Sequence, residues 1–178
     1  MKPLLLCLVL PFVLGISFAH GTTRMVLQGQ SIQDAIDASA SGDLILVGEG
    51  VYPEELVVNG KAIEFRGQGA NRPSAHGLSL QNVSGVLRIS NMRFNDISTS
   101  EILIVDCSSV FLTNVDGREL NATRASLQLK NCSFSENLLV QNGSLKLLKS
   151  TVTKNLAVSN PTTISGAPTE CIILQSTI

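Results

Sequence analysis

The residues of this chain best able to act together are charged and amide side chains that recur at one position of a repeated strand. Glu64, Arg88, Gln128 and Lys146 each fall three residues before a corner position, and Lys130 takes the neighbouring outward position. By the same count Ile45 and Phe111 belong to this row. On stacked strands such side chains form a column, with Glu64 expected beside Arg88. Guanidinium, ammonium and amide groups in line suit the carboxylates and hydroxyls of a sugar chain running along them. The simpler reading is a solvated face whose ion pair is worth about 0–1 kcal/mol.

Other reactive residues organise less chemistry. Acidic residues such as Asp96, Glu101, Asp106 and Asp116 are scattered, with no Asp-Asp or Asp-x-Asp pair. His20 would become the N-terminal residue of an exported chain, where amine and imidazole can chelate copper with His76 as a second ligand. Two histidines are a thin basis for that chemistry, so no metal site and no cofactor are expected. Cys107, Cys132 and Cys171 show no metal-binding spacing, and an odd number of mature thiols leaves one unpaired within a monomer. They read as small buried hydrophobes. Four glycosylation sequons occur, at Asn82, Asn121, Asn131 and Asn142. Asn131 is also claimed by a corner, so Asn82, Asn121 and Asn142 are the expected glycan sites if the chain meets a glycosylating host.

Residues 1–19 read as a signal peptide. Lys2 is followed by an apolar stretch from Leu4 to Ile16, and Ser17-Phe18-Ala19 puts small residues where a signal peptidase reads them. The apolar run falls short of the about 20 residues a membrane span needs. A secreted protein is expected, extracellular or, in a bacterium, periplasmic, with residues 20–178 forming one domain. The net charge of −1 gives no electrostatic case for nucleic acid.

The elements that must position the charged row are short strands in a repeat. Ser126 to Phe134 and Ser144 to Val152 match at an offset of 18 residues, each followed by Asn-Leu-x-Val. With Asn131 as the corner reference, the apolar pair Leu127/Leu129 corresponds to Leu145/Leu147, Val110/Leu112, Leu87/Ile89, Ile63/Phe65 and Leu44/Leu46. The reference column reads Gly48, Gly67, Asn91, Asn114, Asn131 and Lys149, residues expected to accept left-handed backbone at a corner. Phe94, Phe134 and Val152 follow three places later, with Gly117 breaking that column. Between copies lies a second apolar run, as in Leu56 to Val58 or Ile102 to Val105. Alternation inside a period near 20 residues predicts an all-β, right-handed parallel β-helix of about six to seven coils over 43–178.

Ser31 to Ala38 predicts a capping helix within 31–40, with Ser31 as N-cap and Ile32, Ala35 and Ile36 on one face. Cys171 to Ile178 repeats the strand pattern at the far end. An apolar coil there with no helix after it predicts self-association end to end.

The stretch Ser31 to Gly69, with Gly48-x-Gly50-x-Tyr52-x-Glu54 inside it, resembles the N-terminal segment of the pectin-lyase-like superfamily. That group includes pectin methylesterases, alginate and chondroitin lyases and copper-related periplasmic β-helix proteins. The resemblance implies the β-helix fold, which hosts many activities; a polysaccharide partner is the expectation of the outward row. The esterase motifs Gly-x-x-x-Gln-Asp-Thr and Asp-Phe-Ile-Phe-Gly have no counterpart here, nor does the calcium-binding aspartate cluster of pectate lyases. The leading expectation is therefore a secreted, non-catalytic β-helix that binds carbohydrate or serves in an envelope or matrix assembly. The alternative is a polysaccharide lyase or carbohydrate esterase with an atypical site at Arg88 or Lys130. A structural adhesin acting by end stacking would need no sugar ligand.

Overall fold

Strands with apolar side chains on alternate residues have one side to bury, and a chain of many such short strands can bury them all by winding. The computed structural model describes residues 21–95, 100–159 and the backbone of 171–174. Over these residues the chain is an all-β parallel solenoid of about 7 turns. The expected signal peptide and His20 lie outside the described residues, as do Asp96 and 175–178.

In chain order the elements are β1 (Thr23–Val26), α1 (Ile32–Asp37), β2 (Leu44–Val47), β3 (Val51–Asn59), β4 (Glu64–Gly67), β5 (Ser74–Gln81), β6 (Val86–Phe94) and β7 (Glu101–Gly117). Then come β8 (Glu119–Lys130), β9 (Ser133–Phe134), β10 (Leu138–Gln141), β11 (Ser144–Leu148), β12 (Thr151–Val152), β13 (Leu156–Ser159) and β14 (Cys171–Leu174). The pairings make three parallel faces. Sheet A stacks β1, β2, β4, the start of β6, the middle of β7, the end of β8, β11 and β14. Sheet B stacks β3, β5, the starts of β7 and β8, β10 and β13. A narrow sheet C joins the starts of β3 and β5 to the ends of β6 and β7, then β9 and β12. The long strands β7 and β8 bend around corners and so belong to more than one face.

The predicted inward pairs stack as read from Ile63/Phe65 onward, and every one is at most 2% exposed. The first coil is one residue out of that register. Ile45 pairs with Phe65 and Val47 with Gly67, so Ile45 and Val47 face inward while Leu44 and Leu46 face out. In the run Leu44-Ile45-Leu46-Val47 every residue is apolar, so alternation cannot choose the face, and a slip of one reverses it. Leu44, not Ile45, therefore heads the outward row. The Phe94–Gly117–Phe134–Val152 column stacks as expected. A Cβ on Gly117 would sit 2.9 Å from a Phe134 ring carbon, so the glycine makes room for that ring.

The corner column is left-handed at Asn91, Asn114, Asn131 and Lys149, with φ of 56, 55, 53 and 51 degrees. Asn114 Nδ2 donates to Asn91 Oδ1 at 2.7 Å, the expected ladder. Gly48 and Gly67 are not left-handed. Gly67 is required by close approach, because a Cβ there would lie 2.0 Å from the Asn91 carbonyl oxygen. A second left-handed corner, between sheets B and A, went unread in the sequence: Gly60, Asn82, Asp106, Arg124 and Asn142.

Helix α1 is fastened to the first coil at both ends. Ser31 caps it, accepting from Asp34 N at 3.0 Å, and Glu54 accepts from Ile32 N and Gln33 N. Lys61 Nζ donates to the carbonyls of Ile36 and Asp37 at 2.9 Å. Ile32 and Ile36 are buried beneath it. The Gln33 side-chain amide bonds both the N–H and the carbonyl of Val57 in β3, at 2.8 and 3.1 Å.

Candidate functional site

Strand pleating puts alternate residues of sheet A outside, and parallel register then stacks them coil upon coil. Glu64, Arg88, Phe111, Gln128 and Lys146 pair in succession along one outward column. Arg66, Ser90, Thr113, Lys130 and Leu148 form the column beside it. Successive coils are about 4.8 Å apart, so Arg88 and Lys146, three coils apart, are separated by roughly 14 Å.

Glu64 does stand beside Arg88 in register, but its carboxylate takes a different partner. Arg66 Nη2 donates to Glu64 Oε1 at 2.6 Å, within the same strand. The Arg88 guanidinium lies over the Phe111 ring, 5.2 Å from its centroid, a cation–π contact that holds both side chains. Below it Phe111, Thr113, Gln128, Lys130, Lys146 and Leu148 line a hollow of about 150 Å³. Glu64 is the only outward acid on the described strands of sheet A, and it is bound to Arg66. The sheet therefore offers Arg88, Lys130 and Lys146 no second carboxylate, and the lower part of the face is cationic around one aromatic ring.

One of these features was within reach of the sequence. Phe111 was counted in the row without a role, although a ring between an arginine and a glutamine is a ready platform for a sugar. Leu148, the last outward residue of β11, precedes the corner at Lys149, and an apolar residue there carries no signal of its own in the sequence.

The other candidates divide among the faces. Across the second corner Arg124 grips Asp106 with two hydrogen bonds, at 2.5 and 2.7 Å, and holds that carboxyl below its ordinary range. A hollow of about 270 Å³ lies beside it, between Cys107 and Ser144. Arg72 joins Asp116 in an ion pair and donates to the Asn114 carbonyl at 3.0 Å, bracing the first corner. Glu101 and Glu119 stack on sheet B, each accepting from an asparagine amide, Asn121 and Asn137. Asn82 and Asn131 are exposed, while Asn121 and Asn142 are partly buried. His76 is a half-buried residue of β5. Among the described residues no three His, Cys, Asp or Glu side chains gather as a metal site would need.

Cys107 and Cys132 are buried free thiols, as expected of small hydrophobes. Burial pushes the Cys132 thiol up to about 11 and raises Cys107 as well, so neither is poised as a nucleophile. The side chain of Cys171 lies outside the described residues. No described helix is long and apolar enough to cross a membrane. Compared with protein-family models, curated proteins and solved structures, the chain matches none.

Proposed function

We propose that the protein is a right-handed β-helix of the pectin-lyase-like kind, exported from the cell, that binds an acidic polysaccharide lengthwise on sheet A without transforming it. The observation that carries this reading is the row of Arg88, Phe111, Gln128 and Lys146, with Lys130 beside it and the one nearby acid already bound to Arg66. The cations supply charge-assisted hydrogen bonds to carboxylates or sulfates, Gln128 supplies a neutral donor and acceptor, and the ring supplies an apolar surface for a sugar face. A coil repeat of about 4.8 Å is close to the length of one hexose unit, so successive sugars meet successive coils.

The test is retention of the protein on a panel of acidic polysaccharides, followed together with release of unsaturated or de-esterified products. Retention that weakens with salt, and weakens further in Arg88→Ala and Lys146→Ala chains of unchanged thermal stability, is the expected result. Product formation would overturn it in favour of an atypical lyase or esterase. Retention by neither neutral nor acidic polymers would leave assembly through stacked ends as the function to pursue.

A further inference from the structure

Sheet A changes character along its axis. Its first two coils present Met25, Leu44 and Leu46 outward, with Met25 directly opposite Leu46, and Leu27 extends the patch past the end of β1. Met25 and Leu27 are 59% and 55% exposed. Single apolar residues on a surface need no explanation, but these four adjoin one another, whereas further along the face Val86, Phe111 and Leu148 stand among polar and charged side chains. Next along the axis comes the self-neutralised pair Glu64–Arg66, and beyond it the cations and the Phe111 ring.

We infer that the ligand of sheet A is an acidic saccharide carrying an alkyl or acyl group at one end, with the saccharide on the cation row and the apolar group on Met25, Leu27, Leu44 and Leu46. This rests on the saccharide reading of the cation row and adds a second recognition element and a direction to it. Two features favour such a linear amphiphile. The patch and the cation row lie in the same outward columns with the Glu64–Arg66 coil between them, so one elongated molecule can span both. Among the described residues the cations of this outward face, Arg88, Lys130 and Lys146, lie on the C-terminal side of the patch, so charge complementarity places the anionic end of the ligand there. A second copy meeting the row through its own sheet A would need an acidic strip there, and the described strands of sheet A carry only Glu64, already bound to Arg66.

Two probes test this: a uronic acid oligosaccharide, and the same oligosaccharide with an octyl group at its reducing end, used below its micellar concentration. Covering about 55 Å² of apolar surface corresponds to roughly tenfold in affinity. The octyl probe should therefore bind about tenfold more tightly than the plain one. In a Met25→Ser/Leu27→Ser chain, whose two sites are largely exposed and whose thermal stability is checked against the parent, that advantage should fall below about twofold. Arg88→Ala should weaken both probes alike. Equal affinity for the two probes, or an advantage that survives the double substitution, overturns the inference while the saccharide reading stands. Binding of neither probe overturns both. Binding of the octyl probe alone, indifferent to Arg88→Ala, also overturns the inference, since alkyl capture would then be independent of the cation row.

Discussion

Where sheet A turns into sheet C, the left-handed position holds Asn91, Asn114, Asn131 and Lys149; where sheet B turns into sheet A, it holds Gly60, Asn82, Asp106, Arg124 and Asn142. Both corners impose nearly the same φ, between 51 and 56 degrees at every non-glycine position. They meet that demand differently. The first uses asparagine, which tolerates the conformation and links to its neighbour through Asn114–Asn91. The second admits aspartate and arginine, ties them by the Arg124–Asp106 pair, and keeps both partners largely in water. From Asn91 onward the left-handed turn thus recurs in every coil of the first corner, and residue type follows it only loosely. Lys149 shows the same looseness within the asparagine corner.

The comparison can be broken or sharpened at four positions. The largest effect is expected of Gly67→Ala, where close approach and not φ demands the glycine. Its Cβ would lie 2.0 Å from the Asn91 carbonyl oxygen and 2.7 Å from Pro73 Cδ, both in the packed wall. A loss of about 3 kcal/mol in denaturant unfolding is expected, and an unchanged midpoint would show that the first corner can relax. Asn114→Ala comes next, at about 2 kcal/mol, from left-handed strain plus a stranded Asn91 acceptor. A much smaller loss would mean that the ladder adds nothing beyond tolerance of φ.

Lys149→Gly should stabilise the chain by about 1 kcal/mol, since a lysine held at φ of 51 degrees is strained and a glycine is not. A loss instead would reveal a role for the lysine side chain. Smallest is Asp106→Asn, which rebuilds the second corner in the style of the first and should leave the melting temperature at neutral pH nearly unmoved. Its signature is in acid. The hydrogen bond from Arg124 holds the Asp106 carboxyl below its ordinary value. Because the folded value is the lower one, the contribution of the pair is complete above the unfolded carboxyl value of about 3.9 and fades as pH falls through the folded value. Scans from about pH 5 to about pH 2 should show the melting temperature of the parent chain falling more steeply than that of the variant. Asp43, held at about 2 chiefly by the Ala40 N–H, is common to both chains and cancels.

The winding, the inward pairs of five successive coils and the asparagine corner were legible because each rests on a local signal that repeats: alternation, or a residue type with a special backbone preference. The first coil was not, since Leu44 to Val47 is apolar throughout and only pairing with β4 selects its face. The second corner was hidden because Asp106 and Arg124 are not residues that announce a left-handed turn. Strand β1 was missed for want of a repeat partner before it, Thr23 to Val26 being recognisable only by its pairing with β2. The outward row was legible as a column but not as chemistry. That Glu64 would bond Arg66 and Arg88 would lie on Phe111 depends on rotamers, which spacing does not specify.

The side chain of Gln33 has a consequence for how such molecules meet. Its amide offers Val57 one acceptor and one donor, the same two partners that a neighbouring strand would bring to that point of β3. An incoming strand could pair there only by evicting the glutamine and, with it, a helix anchored through Glu54 and Lys61. Among the described residues, the outer edge of β3 thus carries at Val57 a dummy rung supplied by a side chain.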